Sequence, residues 1–260
     1  MEEFLREYFT DNFTRPIEGA YSWEHLLQVT IVAIIAITLG IYFGKKHDSR
    51  FKALKIAAII MLGVESTKYI QAFIIKGNFS WIEYSLPLFL CSIQLLTVPL
   101  AAYTKGRFQK IMLDFVVIFG WLGAFLGTYF AANIYSYVPV IHFRTINSLI
   151  THALAGFATV YIIKSKSTSL EKKNIPYTLT ILLVFVFLAL LANKIYPSQN
   201  YMFLNRSDGT PFYILENIVQ GKLFSYRLLV ILSMSAYMLV FYSLYYLFMR
   251  VRKKEKSYSH

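Results

Sequence analysis

Long apolar runs separated by short polar links set the pattern of this 260-residue chain. Seven stretches, roughly 24–44, 54–75, 82–103, 111–131, 145–164, 175–196 and 226–249, are each apolar over about 20 residues. That is the length at which a helix crosses the hydrocarbon core of a bilayer. The longest link, 197–225, carries the turn formers Asn205, Asp208, Gly209 and Pro211. Within it Phe212, Leu215, Ile218 and Val219 recur at helical spacing, which predicts a short amphipathic helix in the membrane interface. No internal repeat and no low-complexity segment is visible. The expectation is an all-α fold: a polytopic transmembrane bundle of seven spans, forming a single domain over 1–260.

Composition agrees with that class, at 57% hydrophobic and 15% charged residues. The net charge of +12 raises the question of nucleic acid, and the placement of the charges answers it. Alternate links and the C-terminal tail hold sixteen Lys and Arg, counting Lys164 at its boundary, whereas the N-terminus and the other links hold six. This is the alternation of the positive-inside rule. It predicts an outside N-terminus and a cytoplasmic C-terminus, with Arg250–Lys256 as a topology and headgroup contact. The expected partners are membrane lipids rather than nucleic acid, and the expected location is the cell membrane, multi-pass. Residues 1–23 are too acidic for a secretory signal, with Glu2, Glu3, Glu7, Asp11 and Glu18. A single cysteine rules out an intramolecular disulfide.

Candidate chemistry gathers around residues 86–99, which hold Cys91 and, one turn later, Gln94. Pro87 and Pro99 bracket this stretch and predict an interior, slightly irregular helix. On the next span but one, Ser148, His152, Gly156 and Thr159 form a polar, small-residue stripe that should face inward. Helical rise places Cys91 ~14 Å and His152 ~10 Å below the outer ends of their spans. Glu65 and Lys68 fall at ~15 and ~10 Å, and Ser233 and Ser235 lie in the same band. A thiol beside an imidazole is a minimal nucleophile and base. A buried cysteine is also a good small hydrophobe, and a membrane histidine also bonds neighbouring helices. Gln94, Asn147 and Asn193 are candidates to orient the ring or to donate to an oxyanion. Glu65 and Lys68, at i, i+3, read first as a mutually neutralising pair. Gly120, Gly123 and Gly127 read as a close-packing face, and His142 as a solvated link residue. No zinc-protease helix, phosphate loop or hydrolase elbow motif is present, so neither metal nor cofactor is expected.

Several blocks together resemble a known family. They are Leu86-Pro87-Leu88-Phe89-Leu90-Cys91, Thr151-His152, Asn200-Tyr201-Met202-Phe203-Leu204 and Pro211-Phe212-Tyr213-Ile214-Leu215, with Glu65 and Lys68 alongside. The chain resembles the YwaF-type bacterial integral membrane proteins, related to the transmembrane protein 164 family. The eukaryotic members move fatty acyl chains between phospholipids with a cysteine and a histidine. The resemblance therefore implies Cys91 as nucleophile and His152 as base. Glu65, Lys68, Gln94, Ser148, Asn193 and Asn200 would support or bind substrate. The chain departs from the eukaryotic pattern at Ser92, where a histidine often follows the cysteine.

Two functions stand as expectations. One is a lipid acyltransferase or acyl hydrolase working through a thioester on Cys91. The other is a non-enzymatic transporter or receptor whose outer-half polar pocket takes a small zwitterion or anion. A purely structural membrane protein is the third. Distance between Cys91 and His152 discriminates the first from the rest.

Overall fold

The structure is a computed structural model that describes residues 2–46, 51–76, 85–168, 170–208 and 210–258. The link 77–84, which includes the expected start of the third span, lies outside the described residues, as do Arg50 and Gly209. The side chains of 75–76 and of the basic tail 249–258 lie outside them too. Among the described residues the only regular structure is helical: α1 (Glu2–Phe9), α2 (Trp23–Lys45), α3 (Lys52–Lys76), α4 (Gln94–Tyr103) and α5 (Gly106–Tyr129). These are followed by α6 (Ala132–Tyr135), α7 (Phe143–Lys164), α8 (Ile175–Ile195), α9 (Tyr213–Ile218) and α10 (Leu223–Tyr258). The chain forms two compact units, Met1–Ser167 and Thr168–His260.

Among the described residues, five helical stretches are long and apolar enough to cross a membrane: Trp23–Lys45, Gly106–Tyr135, Phe143–Lys164, Lys172–Ile195 and Leu223–Phe248. Their outward faces are apolar, as Ile34 at 59% exposure and Phe187 at 63% illustrate. Such faces suit a lipid surround, not water. Five of the seven expected spans meet this measure among the described residues. The second, α3, is 25 residues long but carries Lys52, Lys55, Glu65, Lys68 and Lys76, which lower its hydropathy.

The third expected span, 82–103, is not a continuous helix. Residues 85–93 form a series of turns, and only Gln94–Tyr103 is helical. The cause is local. Proline at 87 has no N–H and pushes Leu86 away from helical angles. Ser92 then takes over backbone groups of Phe89, its Oγ accepting from Phe89 N at 3.1 Å and lying 3.2 Å from Phe89 O. Pro99, by contrast, is absorbed within α4.

In the first unit α7 packs against α2, α3 and α5. Small residues set the approach. Added Cβ atoms on Gly40 and Gly44 of α2 would press on Val160 and Lys164 of α7 at 2.8 and 2.7 Å. The end of this unit near residue 142 is closed by the N-terminal segment. Glu7 accepts from Thr14 N and Oγ1 and from Arg15 N, while Arg15 Nη2 donates to Ile141 O at 2.9 Å. Gln71 Nε2 donates to Phe9 O.

Within the second unit, Thr178 and Tyr242 share a hydroxyl hydrogen bond at 3.2 Å between α8 and α10. The link between these helices folds on itself around a short helical turn, Tyr201–Phe203. Tyr226 OH donates to Phe203 O at 2.8 Å, and Arg227 Nη2 donates to Asn205 Oδ1 at 2.6 Å. The short helix expected near 212–219 is present as α9.

Candidate functional site

The site is built on one face of α5. Gly120, Gly123 and Gly127 follow i, i+3, i+7 spacing and share that face. A Cβ on Gly123 would lie 3.0 Å from Cys91 Cα and 3.2 Å from its Cβ. One on Gly127 would collide with the imidazole of His152 at Nε2. A Cβ on Gly120 would lie 3.5 Å from Gln94 Oε1 and press on Thr159 Oγ1 at 2.6 Å. Gln94, Cys91 and His152 therefore lie in order along a single glycine rail. The inward stripe of α7 runs beside them: Thr159 Oγ1 lies 3.2 Å from Val116 O, and Gly156 approaches Ala124.

His152 is held in one tautomer. Its Nδ1 lies 2.7 Å from the Ser148 carbonyl, which can only accept, so Nδ1 carries the proton. The Ser148 hydroxyl is a weaker neighbour of the same nitrogen at 3.4 Å. Nε2 is buried and without a hydrogen-bond partner. The thiol of Cys91 interacts with this ring. With Nδ1 committed to Ser148, Nε2 is the ring nitrogen left to meet the thiol. The backbone N–H groups of Ser92 and of Cys91 itself also act on the sulfur. Cys91 is a free thiol, and part of its residue surface remains accessible.

Glu65 reaches the same place from α3, and its charge acts on the His152 ring. Its carboxylate is ion-paired with Lys68 at i, i+3, with side-chain exposures of 10% and 34%. Asn147 anchors the α7–α3 contact, its Nδ2 donating to Val64 O at 2.6 Å and standing 3.2 Å from Thr67 Oγ1. That amide is spent on packing. Gln94 is 1% exposed, and its Oε1 accepts from Thr97 Oγ1 at 3.0 Å.

The first unit thus brings together Cys91, His152, Ser148, Gln94, Glu65 and Lys68. Asn193 and Asn200 belong to the second unit, where both are staples of the same link. Asn193 Oδ1 accepts from Tyr201 N at 2.7 Å, and its Nδ2 donates to Tyr201 O at 3.1 Å. Asn200 Nδ2 donates to Arg206 O and to Asp208 Oδ2, both at 2.7 Å, while Oδ1 accepts from Asn205 N at 2.8 Å. Ser233 and Ser235 turn their hydroxyls onto Val230 O and Ile231 O of their own helix.

One sequence reading needs correction, and another gains in meaning. His142 is not solvated: it is fully buried, with Nε2–H donating to Thr10 O at 3.2 Å and Nδ1 accepting from Arg144 N at 3.2 Å. Burial, first of all, holds its pKa below the ordinary 6.5, with Arg144 and Arg15 acting the same way and Thr10 and Asp11 against. The glycines of α5 do more than pack helices, because Gly123 and Gly127 make the space that Cys91 and His152 occupy. Their spacing marked the face, but nothing in sequence names what lies upon it. Sequence reasoning also passed over His25, buried between Tyr21 N at 3.0 Å and Thr128 O at 2.9 Å and stacked on Tyr135.

Apolar helices with outward-facing Ile, Leu and Phe, enclosing a small polar cluster, define a helical membrane protein. Its lineage follows from comparison: the model of the TMEM164 family matches residues 20–246, and the chain belongs to that family. Comparisons with curated proteins and with solved structures each find no match.

Proposed function

We propose that this chain is a multi-pass cell-membrane enzyme that transfers, or hydrolyses, phospholipid acyl chains through a thioester on Cys91. The observation that carries the reading is a thiol interacting with an imidazole whose Nδ1 proton is fixed by the Ser148 carbonyl. In this account His152 Nε2 takes the Sγ proton, and the sulfur attacks the ester carbonyl carbon of a phospholipid. The carbonyl π pair moves to oxygen and the tetrahedral adduct forms. Collapse restores the carbonyl and breaks the ester C–O bond, and the departing lysolipid oxygen takes the proton back from Nε2. A lysolipid hydroxyl or water then attacks the thioester by the same proton path in reverse. Ser148 positions the ring, and Glu65 favours the imidazolium that forms between proton transfers.

Seven crossings with the N-terminus outside complete the proposal. At ~1.5 Å per residue α3 is long enough to span. Non-helical backbone such as 85–93 is tolerated at membrane depth when buried in protein. The sixteen-to-six distribution of Lys and Arg supports the orientation. A ligand-binding role draws less support, since Lys68 neutralises Glu65 and leaves neither charge free for a zwitterion.

The test is transfer of a labelled acyl chain between phospholipids by purified protein in lipid nanodiscs. Cys91→Ser and His152→Ala are each expected to abolish it with folding retained. The double variant should lose little more, because members of one catalytic unit are not additive. Full activity in Cys91→Ser would return the cysteine to a packing role.

A further inference from the structure

Gln94 is buried to 1% exposure, yet only half of its amide is used. Thr97 Oγ1 donates to Oε1 at 3.0 Å and so fixes the plane of the group. The other arm, Nε2, is buried with no hydrogen-bond partner. A buried donor left without an acceptor is uncommon and calls for a cause. Gln94 closes the turn that presents the thiol, its backbone N–H reaching Cys91 O at 3.3 Å. Both residues lie on the same glycine face of α5, Gln94 over Gly120 and Cys91 over Gly123, one turn apart. The amide of Asn147, elsewhere on α7, is committed to α3.

We infer that Gln94 is a catalytic residue whose Nε2–H donates to the oxyanion of the tetrahedral adduct formed on Cys91. The inference rests on the acyl-transfer reading and adds to it the group that carries the developing charge. In the resting ester the carbonyl oxygen is neutral and asks little of a donor. When Cys91 Sγ attacks, a full negative charge appears on that oxygen in a water-poor site. A donor already oriented there stabilises it without reorganisation. Collapse of the adduct returns the electron pair to the carbonyl, so Gln94 neither gains nor loses a proton. Thr97 is the positioning residue, since its hydroxyl holds Oε1 and thereby aims Nε2.

Two reactions of the same thiol separate this role from packing. Alkylation by a lipid-tailed iodoacetamide displaces iodide and passes through no oxyanion. Acylation by a long-chain p-nitrophenyl ester does form one, and is read from nitrophenolate release and from the mass of the acyl-enzyme. Both are measured on the full-length protein in lipid nanodiscs. Gln94→Met and Gln94→Glu are expected to slow acylation roughly 10²–10³-fold, the usual loss for one oxyanion donor, while alkylation stays at the wild-type rate. The glutamate variant is assayed at a pH where its carboxyl is ionised, so that it keeps the shape and the acceptor but removes the donor. Wild-type acylation in either variant would overturn the inference, as would equal loss of both reactions in both variants. A wild-type protein that is alkylated but never acylated overturns the acyl-transfer reading itself.

Discussion

Two groups of buried polar residues in the first unit follow opposite rules. Near residue 142 the histidines and the carboxylate are satisfied: His25 uses both ring nitrogens, His142 uses both, and Glu7 is tied to Thr14 and Arg15, although Arg15 Nε is left without a hydrogen bond. Along the glycine rail of α5 the satisfaction is incomplete by one atom per residue, at His152 Nε2 and Gln94 Nε2. Buried histidine alone is therefore no sign of chemistry in this chain. What distinguishes His152 is a buried ring nitrogen without a hydrogen-bond partner, on a ring that interacts with a thiol. The first group is a fastening, and each bond in it can be explained by the chain it holds. The second leaves two buried nitrogens without a partner.

The comparison is broken most severely by filling the rail. Gly127→Ala puts a methyl where His152 Nε2 sits, so the ring must move. Acylation of Cys91 is expected to fall by ~100-fold, the typical penalty for an ångström of misplacement, with helix content in circular dichroism retained. Gly63→Ala on α3 meets nothing within 4 Å and serves as the control, with no loss. A Gly127→Ala protein of full activity would mean that His152 is not held where its contacts place it.

A satisfied amide should behave in the opposite way. Asn193→Ala strips both backbone groups of Tyr201 of their partners. The expected loss is about 2 kcal/mol of stability, read from thermal unfolding, with the acylation rate per folded molecule unchanged. A specific rate loss with unaltered stability would move Asn193 from the fastening group to the reactive one.

The pair on α3 stands between the two groups, since it is closed upon itself yet acts on His152. Glu65→Gln alone should destabilise by about 1–2 kcal/mol, below the ~3–5 kcal/mol typical of a fully buried pair because Lys68 is partly exposed. Adding Lys68→Met should recover folded yield but not the rate, if the Glu65 charge supports the imidazolium. Recovery of both would confine the pair to structure.

The smallest effect is expected from pH at His142. Its folded pKa lies below the ordinary 6.5, so between the two values the unfolded chain binds more protons. The stability this group contributes is present above that ordinary value and is lost as pH falls through the folded pKa. Protonation would set a second N–H against Arg144 N, where Nδ1 now accepts. His142→Gln should flatten the acid side of the stability profile measured by thermal unfolding between pH 7 and 5. An unchanged profile would assign the acid sensitivity elsewhere.

Apolar run length was enough to place α2, α5, α7, α8 and α10, because the bilayer imposes one length and one backbone solution on a crossing segment. The stripe of α7 was legible for a related reason: helical period alone decides which residues share a face. The i, i+3 spacing of Glu65 and Lys68 likewise announced their pair. Beyond that, local signals ran out. Pro87 and Pro99 look alike in sequence, yet one opens a run of turns and the other sits inside α4. The outcome depends on whether neighbours such as Ser92 take up the released backbone groups. Asn147, Asn193 and Gln94 were equal candidates as amides, and only the partners brought by folding spent the first two and left Nε2 of the third unused. The glycines of α5 offered a face without saying what would fill it. Residue identity determines which bonds a side chain can make. Which of them it does make is decided by atoms distant in the chain, and the free valences of His152 and Gln94 exist only in that tertiary account.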